Sequence, residues 1–139
     1  MNVVIYFSLS KELNSKRIAS TFEGDIFEIV NNEKKHKSTF LNMFIYGYKT
    51  TRNKDVDFGT PKIDFDKYDT VILVSPVWAG RVNQFMRKYL EKIRFTNKNV
   101  KIVGTCKGGY KNYFKSYEGL LDNSNKIVEE IMYVKGKKQ

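Results

Sequence analysis

Three polar stretches hold the residues of this chain that could do chemistry. The first, Ser8-Leu9-Ser10-Lys11-Glu12-Leu13-Asn14-Ser15, offers hydroxyls and an amide directly after an apolar run. The second, Ser75-Pro76-Val77-Trp78-Ala79-Gly80, carries the single tryptophan, and the third, Thr105-Cys106-Lys107-Gly108-Gly109-Tyr110, carries a paired glycine. No catalytic residue is named in them. With one cysteine, Cys106, and one histidine, His36, the chain can form neither an internal disulfide nor a Cys/His zinc site, and no metal is expected. What these residues can do is bind. Hydroxyls and free backbone N–H groups at a helix start suit a phosphate, a rigid indole suits a flat ring, and glycines let backbone approach a ligand closely. Each stretch also has a purely structural reading: helix capping by Ser10 or Asn14, a tryptophan that plugs the core, a flexible turn. Taken together they describe a site for a phosphorylated planar ligand.

The elements around them explain why the three stretches should meet. Val71-Ile72-Leu73-Val74 is an unbroken apolar run, mostly β-branched, as in a strand covered on both faces of a parallel sheet. Ser75 and Pro76 are expected to end it. Val3 to Phe7 is a second strand of the same kind. Ile18, Ala19 and Phe22 then recur at helical spacing, with Asn14 or Ser15 available as cap and Gly24 as stop. Asp25 to Val30 reads as a strand, His36 to Tyr48 as a helix, Thr50 to Lys67 as a surface connection, and Phe85 to Ile93 as a helix. Val100 to Gly104 is a short strand, Asn112 to Leu121 a helix, and Ile127 to Val134 a last strand. This alternation predicts a three-layer, doubly wound α/β domain with a parallel sheet and right-handed crossovers. The three stretches then lie at the carboxyl edge of the sheet, where open α/β sheets bind ligands.

Length and charge set further bounds. A chain of 139 residues with 41% hydrophobic and 14% aromatic content is expected to form one packed domain over residues 1–139. The apolar start is too short for a signal core or a spanning helix, so a cytoplasmic protein without a membrane span is expected. A net charge of +10 attracts anions of every kind without choosing among them. Lys34, Lys35 and Lys37, and the tail lysines Lys135, Lys137 and Lys138, read as solvated charge, since no nucleic-acid motif accompanies them.

The sequence resembles the flavodoxin family, and in particular short flavodoxin-like proteins whose middle strand ends in Ser-Pro-Val-Trp-Ala-Gly. The resemblance spans nearly the whole chain and rests on Tyr6-Phe7-Ser8, on Tyr68-Asp69 with the strand to Gly80, and on Gly104-Thr105-Cys106 with Gly108-Gly109. It implies a flavodoxin-like sheet in the order 2-1-3-4-5, an FMN cofactor, and electron transport or a small flavin-dependent oxidoreductase activity. It also implies that Ser8, Ser10, Asn14 and Ser15 hold the phosphate. Pro76, Val77, Trp78, Ala79 and Gly80 would flank the isoalloxazine on one side, and Thr105, Cys106, Gly108 and Gly109 on the other. The expected partners are an acidic redox protein or a nicotinamide electron donor, and a homodimer would hide any bare sheet face. The sequence departs from the family in three places. Leu13 falls where the phosphate-loop glycine belongs, Val82-Asn83-Gln84 replaces the usual prolines, and no terminal helix follows Val134. These departures keep open a second reading, a flavodoxin-fold module that has lost FMN and binds a partner or an anion.

Overall fold

Five parallel strands in the order β2-β1-β5-β7-β8 form the body of the protein, in a computed structural model that describes residues 1–8, 14–33, 45, 46 and 48–139, Asn14 through its backbone only. The strands are β1 (Asn2–Tyr6), β2 (Asp25–Glu28), β5 (Thr70–Trp78), β7 (Asn99–Cys106) and β8 (Lys126–Val134). Counted among themselves they follow the expected order 2-1-3-4-5. The register runs Tyr6↔Val74 and Val74↔Val103 through the centre, so every strand ends on the same edge. Val3, Val4, Ile5, Val71, Leu73, Val74, Val100 and Ile102 are wholly buried, as a doubly covered parallel sheet requires.

Helices cover both faces. On one, Ile18 and Ala19 of α1 (Asn14–Ala19) pack on Val4, Tyr6, Ile72, Val74 and Val103. On the other, Phe85, Met86, Tyr89 and Leu90 of α2 (Gln84–Lys92) pack on Val3, Ile5, Val71, Leu73 and Ile102, joined by Tyr46, Tyr113 and Tyr117. The Asn83 side chain caps α2 by accepting from Met86 N at 3.0 Å. The two layers are unequal. The α1 face is small, and where it thins out an ion pair between Lys101 and Glu129 lies on the sheet at 3.4 Å, with Ile127 and Val128 left largely exposed nearby.

Several elements differ from the sequence reading. The middle strand does not stop at Ser75 and Pro76 but runs to Trp78, then turns through Ala79 and Gly80 into β6 (Arg81–Val82). Pro76 is tolerated because β1 ends opposite Val74, so no partner awaits an N–H on that side. Asp25 to Val30 breaks at Ile29: β2 ends at Glu28, and β3 (Val30–Asn31) pairs with β4 (Phe58–Gly59) inside the presumed surface connection, which also holds a 3-10 turn at Phe65–Lys67. α1 ends at Ala19, short of Phe22, where Ser20 and Thr21 hydroxyls bond back to the carbonyls of Arg17 and Ile18. Of the helix read over His36 to Tyr48, residues 34–44 and 47 lie outside the described residues, while 45–46 and 48–51 are helical.

Asn112 to Leu121 is not an α-helix; turns and one 3-10 turn at Lys115–Tyr117 replace it. The residues expected on one side, Phe114, Tyr117, Leu120 and Leu121, do pack on one core, with Tyr113 beside them, but Gly119 at φ 78° takes the chain out of the helical spiral. The basic tail is not free either: a turn at Lys135 and Gly136 returns it as β9 (Lys137–Lys138) against β8. Both chain reversals, Ala79-Gly80 and Lys135-Gly136, are two-residue loops with positive φ at both positions, the hairpin geometry that matches strand twist.

Gly104 makes the packing of this crossover possible. A Cβ there would fall 2.6 Å from Met132 Cε and 2.7 Å from Tyr113 Cε2. Gly104→Ala is therefore expected to destabilise the protein by about 1–3 kcal/mol, as overpacking of a tight core does, measured by urea unfolding. An unchanged midpoint would show that the Tyr113 ring is free to move aside.

Candidate functional site

The carboxyl edge brings the first and third polar stretches into direct contact. Ser15 and Thr105, both buried, share a hydrogen bond at 3.2 Å between their hydroxyls across ninety positions of sequence. Only one proton is used in that bond, so the other hydroxyl keeps a proton to donate. Ser8 stands half-buried at the end of β1. Ser10 and the Asn14 side chain lie outside the described residues, so two of the expected phosphate contacts have no geometry here. With six residues, α1 is under two turns. Hydroxyls and loop N–H groups, more than a long helix dipole, are then the donors available to an anion.

The second stretch is a hairpin rather than a loop. Val77 pairs with Val82 and Trp78 with Arg81. The indole stacks on Tyr46 at 5.2 Å and 25° and meets Phe7 and Phe85 edge-on at 5.7 Å and 5.9 Å. Trp78 therefore belongs in part to the core, while remaining half-exposed at the sheet edge. Ala79, at φ 52°, holds a left-handed conformation that costs a residue with a Cβ about 1 kcal/mol; Gly80, at φ 74°, takes the same region freely. A Cβ at Gly80, Gly108 or Gly109 would meet nothing within 4 Å. These three glycines leave the edge open between hairpin and loop. The Nε of Arg81, directly after the Trp78-Ala79-Gly80 turn, is buried and has no hydrogen-bond partner among the described residues.

The third stretch is held from both sides. The Cys106 thiol donates to the Gly108 carbonyl at 3.2 Å, and burial pushes its pKa up, so it is a packing group more than a nucleophile. On one flank, Lys135 N donates to the Cys106 carbonyl at 2.8 Å; on the other, Asn112 N donates to the Gly80 carbonyl at 3.1 Å. Beneath lies a fully buried cluster of three hydroxyls. Ser75 and Tyr113 meet at 2.8 Å, Tyr113 and Tyr117 at 2.8 Å, and Ser75 and Tyr117 at 3.3 Å. Val82 N donates to Ser116 Oγ at 2.8 Å, which closes the hairpin against the same segment.

The arrangement can bind and position a ligand. Among the described residues no group of three or more His, Cys, Asp or Glu could hold a metal ion. Nor is any helix among them long and apolar enough to cross a membrane.

No protein-family profile matches the chain, and no curated protein matches it. Solved structures do. A flavoprotein from Lactobacillus acidophilus, crystallised in complex with FMN, superimposes with a TM-score of 0.75 at 18% identity over 94% of this chain and 91% of its own. A candidate flavoprotein from Bacteroides eggerthii gives 0.69 at 19% identity, over 94% and 86%. One from Bacteroides uniformis gives 0.69 at 18% identity, over 97% and 92%. The chain thus has a flavodoxin-like fold over nearly its full length.

The tyrosine cluster makes a pH prediction. Burial raises the pKa of Tyr117 to about 12 and that of Tyr113 further, with Tyr89 and Tyr6 moved in the same direction. Between the unfolded value near 10 and about 12 the folded state keeps protons that the unfolded chain loses. The stability they contribute is complete below pH ~10 and is lost as pH rises through the folded values, by about 1.4 kcal/mol per pH unit for each such tyrosine. Urea unfolding across this range should show that slope, and Tyr117→Phe should reduce it. Tyrosinate absorbance developing fully near pH ~10 in the folded protein would contradict the buried cluster.

Proposed function

We propose that this protein binds FMN at the carboxyl edge of its sheet and works as a flavodoxin-like redox protein, either an electron carrier or a small flavin-dependent reductase. The observation that carries the reading is the Ser15–Thr105 contact, which draws the hydroxyl-rich first stretch and the Cys106 loop to one place beside the Trp78 hairpin. The fold shared with flavoproteins, one of them holding FMN, supports it.

The residues present fit such a group. Ser8, Ser15 and Thr105 supply neutral donors for a phosphate, and Ser10 and Asn14 stand in the same stretch of sequence. Arg81 brings a buried N–H without a partner. The space left by Gly80, Gly108 and Gly109 lets ring and backbone come close. Pro76, Val77, Trp78 and Ala79 form one wall, and Thr105 with Cys106 the other. Bound FMN would supply the electron or hydride chemistry, and the protein's part is position and electrostatics. Positive charge from Arg81 and Lys107 would favour any anionic form of the ligand over the neutral one. No side chain is assigned an acid or base role.

Titration of the purified protein with FMN tests this. Quenching of flavin fluorescence and a yellow, retained complex are expected. Ser15→Ala should weaken binding by about 1–2 kcal/mol, the scale of a lost hydrogen bond to a charged group. Trp78→Ala should weaken it by about 1–3 kcal/mol, by analogy with bases stacked on aromatic side chains, and should also lower the unfolding midpoint because Tyr46, Phe7 and Phe85 lose a neighbour, with unfolding still cooperative. A colourless protein that leaves added FMN fluorescence unchanged would instead favour a module that has lost the cofactor.

A further inference from the structure

We propose that the lysines gathered around the Cys106 loop form a docking surface for an acidic electron-carrier protein. The tail that reads as free lysine in sequence is folded back by the β8–β9 hairpin, and its turn is fastened to the loop by the Lys135 N to Cys106 carbonyl bond of 2.8 Å. Gln139 N donates to the Met132 carbonyl at 2.9 Å and holds the far end. Lys135, Lys137 and Lys138 therefore stand beside Lys107, and Lys111 adjoins Asn112, whose N–H is bonded to the Gly80 turn. All five are exposed. Residues 103–117 and 131–139, which build this end of the sheet, contain no Asp or Glu. None of the five lysines joins an ion pair among the described residues.

The acids lie elsewhere. Glu23, Asp25, Asp64, Asp66, Asp69 and Asp122 precede or open strands β2, β5 and β8 and so sit at the opposite, amino edge, interspersed with Lys62, Lys67, Lys98 and Lys126. The end built by residues 103–117 and 131–139 carries lysines with no acid among them, and its local field is positive. Such a field orients an incoming partner and raises its association rate. The lysines come from two separate segments and are exposed. An open, spread set of ammonium groups suits the carboxylates of a protein face in a small transient contact. A nucleotide phosphate would call for donors converging in a pocket.

That the partner carries electrons rests on the FMN reading; that it is an acidic protein does not. The probe is a fluorescently labelled plant-type [2Fe–2S] ferredoxin, an acidic carrier, titrated with the full chain at low ionic strength with and without FMN. Two triple variants of equal charge change are compared: Lys107→Glu/Lys137→Glu/Lys138→Glu at the rim, and Lys62→Glu/Lys67→Glu/Lys126→Glu at the amino edge. Thermal unfolding checks that both remain folded. The rim variant should lose affinity by about tenfold or more and the amino-edge variant should stay within about twofold, with salt weakening the wild type. Equal losses in both would reduce the effect to net charge and overturn the proposal. So would an unchanged rim variant, or absence of ferredoxin binding together with rim-dependent binding of adenosine 2′,5′-bisphosphate, which would assign the lysines to a phosphorylated nucleotide donor. Rim-dependent ferredoxin binding by a protein that takes up no FMN would support the surface while refuting the flavin.

Discussion

The buried contact among the hydroxyls of Ser75, Tyr113 and Tyr117 is the constraint on which the site end of this protein depends. The crossover from β7 to β8 has no α-helix to give it shape. It is pinned by two large rings, that of Tyr113 lying over Gly104, joined by their phenol groups to Ser75 of the central strand. Each hydroxyl would cost about 1–3 kcal/mol if buried without a partner, so the three act together or not at all. Once they are in place, the Cys106 loop has one position relative to the Trp78 hairpin. Ser116 and Asn112 then bond to that hairpin directly.

What could be read from sequence was whatever a local pattern dictates. Apolar β-branched runs marked β1, β5 and β7, helical spacing marked α2, and the alternation of the two implied the parallel order that is found. The illegible parts are those set by distant partners. Pro76 reads as a strand stop unless the neighbouring strand is known to have ended already. Asn112 to Leu121 has a helical pattern, but its tyrosines are drawn to Ser75, 38 and 42 positions away in sequence, and a regular helix does not survive that. The Lys135-Gly136 turn carries a recognisable hairpin signal in its glycine and is the one correction that a closer reading of the residues could have found.

The site was legible as three stretches but not as an arrangement. Ser15 reads as a helix cap or a phosphate contact; its hydroxyl meets that of Thr105, and that contact joins two of the three stretches. Trp78 reads as either a wall or a core plug; its ring stacks on Tyr46 while the residue stays partly exposed at the edge. Arg81 directly follows the Trp78-Ala79-Gly80 turn in sequence, and its Nε is buried without a partner among the described residues. Such a group is costly to leave unpaired, and its place beside the Gly80 turn gives an anion at this edge a reason to bind.

The central claim is that these stretches form one FMN site at the carboxyl edge. It is tested most directly by recording backbone amide shifts of the isotopically labelled protein during addition of FMN. The account predicts saturable changes at Ser8, Ser15, Trp78 to Arg81, and Thr105 to Gly109, with the amides of Lys62, Asp66 and Lys126 at the opposite edge unmoved. Changes centred on that opposite edge, or none at all with FMN in large excess, would contradict it.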